Sequence, residues 1–286
     1  MRSTVRLGAV GYLNARPLVY GLMEGLGAQA EGVRDNLAGI GLRASALGPE
    51  ITIRFDVPSV CATLLAAGEI DLGLIPSITY LEGPGHKVIP EISIASDGPV
   101  ASVALFTRKP TREIRSLALD TSSRTSVVLT RILCAKRFEV APSFVPRSPD
   151  LPSMLAVCDA ALLIGDPALF VDHRTLGVEK IDLGQAWTDL TGLPFVWAFW
   201  AGRSDAADAD VLQRLQQARA AGVAESDAIA NQYCAGNAAR QAVARHYLRE
   251  NMKYDLSARA LEGLMAFYRE AAALGLVERT ERIAFF

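Results

Sequence analysis

The chain has 286 residues, half of them hydrophobic and 21% charged, a globular composition too apolar for disorder and long enough for about two domains. Its net charge of −2, from 29 Lys and Arg against 31 Asp and Glu, removes any general pull toward nucleic acid. No run approaches the ~18 apolar residues of a membrane span, and Met1–Arg6 leads straight into a strand-like Leu-Gly-Ala-Val with no secretory apolar region.

In chain order, Val5–Val10 reads as a buried strand and Pro17–Leu26 as a helix. Ile51–Val57 alternates as a strand, Pro58 opens a helix that Gly68 stops, and Asp71–Ile75 is a short strand closed by Pro76-Ser77. Strands follow at Val103–Thr107 and Ser116–Leu119. A helix spans Ser126–Arg137, its stripe being Val127, Leu129, Ile132, Leu133 and Ala135. Next come a helix at Ser153–Val157 and a strand at Ala160–Ile164, ending in a Gly165-Asp166-Pro167 turn. LLAAGEIDLGLIPS (64–77) and MLAVCDAALLIGDPA (154–168) share one grammar, a helix end, an Asp, a short apolar strand and a Pro turn. After the apolar strand Phe195–Trp200 the chain turns helical at Asp205–Ala224, Asn237–Glu250 and Ser257–Gly275. Their stripes are Leu212, Leu215, Ala218 and Val223, then Leu261, Leu264, Met265 and Tyr268.

Alternating strands and helices predict an α/β fold with parallel pairing as the default. The helical tail is expected to pack back on the first block. Crossings near Val100–Leu105 and Val196–Ala201 then give two lobes with a cleft between them: residues 1–100 plus 200–286, and residues 101–199. Ligands in such folds gather at the carboxyl ends of strands. The four cysteines, Cys61, Cys134, Cys158 and Cys234, stand apart in apolar stretches without CxxC or zinc spacing, as small hydrophobes in a reduced, cytoplasmic protein do. His86, His173 and His246 offer no metal spacing, and His86 reads as a surface-loop residue.

Three segments carry candidate chemistry. Gly11–Leu18 follows the first strand, and Asn14 suits both a helix N-cap and an amide offered to a ligand. Asp120–Ser126 joins a strand to a helix. It reads either as a capping turn or as an anion cradle built from Ser123, Arg124, Thr125, Ser126 and free helix amides, and the cradle is the favoured reading. It holds no glycine and no following Lys, which disfavours a nucleoside triphosphate. Ser93–Ser102 places small residues, among them Ser96 and Ser102, at the first crossing, with a plain turn at Asp97-Gly98-Pro99 as the alternative. Ser77 and Asp166 follow corresponding strands of the two lobes, where they suit a shared cleft or ordinary turns. Trp197, Phe199 and Trp200 read as core. GxSxG, HExxH and strand-following GxGxxG motifs are absent from the sequence.

GYLNARPLVYGL (11–22), GEIDLGLIPSITY (68–80), SDGPVASVALFTRKP (96–110), LALDTSSRTSVVLTRIL (117–133) and LLIGDPAL (162–169) together resemble the chorismate dehydratase family of menaquinone biosynthesis by the futalosine route. Tyr-Leu-Asn-x-Arg-Pro-Leu is the most specific part, and family members often carry Ser where this chain has Gly11. The resemblance implies a two-lobed fold like type 2 periplasmic binding proteins. It implies a hydro-lyase that removes water from chorismate to give 3-[(1-carboxyvinyl)oxy]benzoate, without metal, flavin or nucleotide. Its partner would be the small-molecule substrate alone, with the protein a monomer or homodimer. Under this reading Asn14 and Asp166 are the catalytic candidates. Arg16, Ser77, Ser96, Ser102, Ser123, Arg124, Thr125 and Ser126 are candidates to bind the substrate. A substrate carboxylate is favoured over Asp166 as proton acceptor. The alternatives are a non-catalytic cytoplasmic binder of a small carboxylate, a ligand-sensing regulatory module, and an enzyme acting on another aromatic or enolpyruvyl acid.

Overall fold

A computed structural model describes residues 4–23, 42–46, 51–83, 85–278 and 280–286. The strands are β1 (Val5–Val10), β2 (Leu42–Ala46), β3 (Ile51–Asp56), β4 (Leu72–Pro76), β5 (His86–Val88), β6 (Ile94–Ser96), β7 (Val103–Thr107), β8 (Ser116–Asp120), β9 (Ser143–Arg147), β10 (Ala160–Ile164), β11 (Glu179–Asp182) and β12 (Phe195–Arg203). The helices are α1 (Arg16–Met23), α2 (Pro58–Ala66), α3 (Thr125–Leu133), α4 (Leu151–Val157), α5 (Gly165–Phe170), α6 (Leu183–Thr191), α7 (Ala209–Ala224), α8 (Ser226–Tyr233), α9 (Ala238–His246) and α10 (Ala258–Ala273). Residues 24–26 of the expected first helix lie outside the described residues.

Among the described residues two sheets form. The first runs β2-β3-β1-β4-β12-β5, with β6 also on β12, and the second runs β11-β7-β10-β8-β9. Parallel pairing holds for β1 with β3 and β4, and for β8 with β9 and β10. The default fails elsewhere: β2 is antiparallel to β3, β12 to β4, β5 and β6, and β7 to β10 and β11. Strands β7 and β12 enter their sheet from the other one, so no crossover helix within a single sheet forces them parallel. The related segments 64–77 and 154–168 take equivalent places. β4 lies between parallel β1 and antiparallel β12, and β10 between parallel β8 and antiparallel β7. Strands β4, β7 and β10 are buried at every residue, which explains their unbroken apolar runs.

The chain leaves the first sheet after Ser96 and re-enters it at Phe195. Asp150, Asp182, Asp208, Asn237 and Ser257 each accept a backbone N–H that opens a helix. Helix α7 packs along α1 so tightly that a Cβ on Gly222 would stand 2.0 Å from the Pro17 carbonyl oxygen. Its buried face is therefore Val211, Leu215, Ala218 and Gly222, while Val223 is exposed. Helix α10 lies on β12 and also touches α3, burying Ala260, Gly263, Leu264, Phe267, Tyr268 and Ala271. After α3 a π-turn spans Cys134–Phe138. The extra residue rotates the stripe, so Cys134 is buried and Ala135 exposed. All four cysteines are buried and free. His86 is half-buried on β5 rather than in a loop, its Nδ1 without a partner among the described residues.

Candidate functional site

The turn after β1, the ends of β4 and β10, the start of α3 and the 100–103 crossing meet at one cavity to which both sheets contribute. It encloses about 490 Å³ of empty space, its open mouth included. Its polar lining is Tyr12, Asn14, Ser102, Ser123, Thr125 and Ser126; Trp197 and aliphatic side chains supply most of the remainder. Among the described residues that line it there is no carboxylate, imidazole, amine, guanidinium or thiol. Tyr12 is the one titratable group, and burial pushes its hydroxyl up to about 12, so it stays protonated.

Asn14 sits inside a single 3₁₀ turn, Leu13–Ala15, rather than at an N-cap. Its carbonyl accepts from the Tyr254 hydroxyl at 3.0 Å, while its Oδ1 is buried without a partner among the described residues. The capping explanation therefore does not account for this amide. Ser102 Oγ lies 2.7 Å from the hydroxyl of the fully buried Tyr247. Ser123 Oγ accepts from the Ser126 amide at 3.2 Å, capping α3, and Thr125 Oγ1 accepts from the Ile78 amide at 3.2 Å. Hydroxyls at a helix start, with the helix amides behind them, suit a carboxylate.

The remaining sequence candidates stand outside the lining. Ser77 is fully buried, donates to the Val196 carbonyl at 2.7 Å and lies 3.4 Å from Thr125 Oγ1, so it supports the wall from behind. Ser96 accepts from Trp197 Nε1 at 3.1 Å and orients that ring. Arg124 turns outward to Glu82 at 2.7 Å and to Thr63 at 3.1 Å; the nearby acidic side chain holds it, so the cradle lacks the expected guanidinium. Arg16 is buried, donates to the Gly11 carbonyl at 3.0 Å and lies over Phe55 and Tyr233. Asp166 opens α5 instead of forming a turn, accepting from the Leu13 amide at 3.1 Å and from the Tyr233 hydroxyl. Burial raises its pKa, opposed by those two hydrogen bonds and by Arg16.

Sequence reasoning missed Tyr233, Tyr247 and Tyr254, which reach the site from the helical tail without a local motif; Trp197 belongs to the core as read and also lines the cavity. Because Arg124 pairs at the surface, Arg124→Ala is expected to change stability by no more than ~1 kcal/mol and to leave ligand affinity unaltered. A thermal melt and a titration check both.

Comparison with known proteins follows the same lines. A sequence profile described as menaquinone biosynthesis matches residues 5–273. The chorismate dehydratase of Thermus thermophilus is 33% identical over 237 residues, 77% of this chain and 85% of that protein. A crystal structure of a protein from Archaeoglobus fulgidus superposes with a TM-score of 0.71 at 17% identity, covering 96% of this chain and 98% of that one. The alkanesulfonate-binding protein of Xanthomonas axonopodis pv. citri gives 0.62 at 16% identity, covering 97% and 95%. The fold is that of periplasmic binding proteins, two α/β sheets with a helical C-terminal segment. With its 5–273 region matched by that profile and one third of its aligned residues shared with the Thermus enzyme, the chain belongs to the menaquinone-biosynthesis family.

Proposed function

We propose that the protein is a hydro-lyase that converts chorismate to 3-[(1-carboxyvinyl)oxy]benzoate and water. The observation that carries the reading is the cavity lining, one amide and a row of hydroxyls at a helix start, in a chain one third identical to a chorismate dehydratase. The reaction asks for little acid–base machinery. The proton on the ether-bearing ring carbon and the neighbouring hydroxyl leave together as water, and the ring becomes aromatic. What the protein must supply is placement of two carboxylates and of the leaving hydroxyl.

In this reading Ser123, Thr125, Ser126 and the first amides of α3 hold one carboxylate. Asn14 and Ser102 engage the departing hydroxyl from the opposite wall. No carboxylate or imidazole of the lining stands ready as base, which supports proton transfer to the substrate's own second carboxylate. That group then delivers the proton to the leaving hydroxyl. The two sheets form the two lobes, with the boundaries at 97–102 and 192–194. No described helix is long and apolar enough to cross a membrane; we place the enzyme in the cytoplasm, with chorismate as its partner.

The test is to incubate purified protein with chorismate and follow products by liquid chromatography and mass spectrometry. The expected product is lighter by one water, aromatic in the ultraviolet, and retains the enolpyruvyl group. The fold is shared with binding proteins, which gives the second reading its footing. Intact chorismate together with a raised melting temperature would assign the protein as a binder, and intact chorismate without that shift would remove chorismate altogether.

A further inference from the structure

Behind the cavity wall lies a half-buried cluster that the reaction scheme leaves unused. Asp166 follows β10 of the second sheet, yet both of its oxygens are engaged by groups from elsewhere. Oδ1 accepts from the amide of Leu13, in the turn after β1 of the first sheet, at 3.1 Å. Oδ2 accepts from the hydroxyl of Tyr233, the last residue of α8. That hydroxyl also lies 3.4 Å from the Gly11 carbonyl, and Arg16 donates to the same carbonyl at 3.0 Å with its guanidinium 5.4 Å from the Tyr233 ring centroid. One carboxylate of the second sheet therefore holds the 11–14 turn of the first.

The neighbouring residue shows how close the two pieces are. Gly165 has φ +63°, and a Cβ there would stand 2.7 Å from the Tyr12 ring. Tyr12, Asn14 and Gly165 line the cavity, while Asp166 and Tyr233 do not. The tie thus spans the cavity wall from behind, and Asn14 is the next residue after its Leu13 anchor.

We propose that Asp166 and Tyr233 are positioning residues: together they fasten the turn carrying Asn14 to the second sheet, so that Asn14 faces the hydroxyls at the start of α3. The kinetic part rests on the function proposed above; the tie itself does not. A carboxylate is needed because two donors converge on it beside the buried Arg16 cation. An amide at this place accepts through only one of its two atoms.

Tyr233→Phe and Asp166→Asn test the proposal in two ways. The first is hydrogen exchange at the Leu13 amide in ligand-free protein, followed by mass spectrometry with fragmentation. It is expected to speed up roughly tenfold in Tyr233→Phe, since loss of a hydrogen bond to a charged group weakens the tie by about 1.4 kcal/mol, a factor of ten. The second is turnover of chorismate. Displacing Asn14 by about 1 Å is expected to lower kcat on the order of 10- to 100-fold, with Asp166→Asn the larger loss. The double variant should be no worse than Asp166→Asn alone. In an Asn14→Ala background Tyr233→Phe should cost nothing further, which a general loss of fold stability would not produce. Wild-type exchange at Leu13 in Tyr233→Phe overturns the tie. Abolished turnover in Asp166→Asn with unaltered turnover in Tyr233→Phe overturns the positioning role and returns Asp166 to direct chemistry. Should the wild type leave chorismate intact, the function proposed above fails, and the exchange measurement still decides the tie.

Discussion

Asn14→Ala is expected to lower kcat for water loss from chorismate by about 10²–10³-fold, the range seen when one oriented polar group is removed from a developing charge, without lowering the melting temperature. The two halves of this expectation come from the same atom. Asn14 Oδ1 is buried with no partner among the described residues, and an unsatisfied buried acceptor costs about 1–3 kcal/mol. Truncation to Ala removes that cost together with the function, the trade expected of a group kept for chemistry. Asn14→Asp separates placement from proton transfer. It sets a carboxylate in an unsolvated position facing a doubly charged substrate, so KM should rise steeply through like-charge repulsion. Steady-state kinetics and thermal melts of both variants are the measurement. A wild-type kcat in Asn14→Ala would take the amide out of the mechanism.

What could be read before the structure was known divides along a physical line. Strands β7 and β10 begin and end where the sequence predicts, because each is an unbroken buried run bounded by polar or turn residues. Asn14, Ser102, Ser123, Thr125 and Ser126 all reach the cavity. They sit just past strand ends or at a crossing, and the backbone alone carries them there. Long side chains do not follow that rule. Arg124 lies in the right segment, but its guanidinium is set by Glu82, 42 residues away, and Arg16 turns back to the Gly11 carbonyl. Tyr233, Tyr247 and Tyr254 converge from the tail through contacts spanning 67, 145 and 240 residues, which no local pattern encodes. Leu215 and Ala218 of the α7 stripe are buried as expected, and Val223 is exposed for a related reason. Where α7 meets α1 the closest approach needs a glycine, Gly222, and hydrophobicity reading gives glycine no weight.

Trp187→Ala is expected to destabilise the protein by roughly 3–5 kcal/mol, the range for truncating a large buried aromatic, against a total of about 5–15 kcal/mol for a folded domain. Trp187 on α6 is fully buried, its ring edge-on to Phe195 of β12 at 5.4 Å and to Phe267 of α10 at 6.2 Å. Its indole donates to the Pro194 carbonyl at 3.2 Å. That carbonyl is pressed by α10, where a Cβ on Gly263 would stand 2.1 Å from it, so water cannot readily replace the lost donor and the cost falls at the upper end. At ~2–4 °C per kcal/mol for chains of 150–250 residues, the melting temperature should drop by about 6–20 °C. The same helix connects this packing to the cavity. Asp182, which caps α6, also accepts from the amides of Val100 and Ala101 at 3.0 and 2.6 Å, immediately before the cavity-lining Ser102. Ala101 itself has φ +61°, a left-handed backbone that an alanine holds only under constraint. Loosening α6 should therefore release this segment well below the melting temperature and raise KM there. Trp187→Phe keeps most of the packing and should show a smaller shift in both quantities. A Trp187→Ala variant that melts within 2 °C of wild type by calorimetry would place the stability of the seam between the sheets elsewhere.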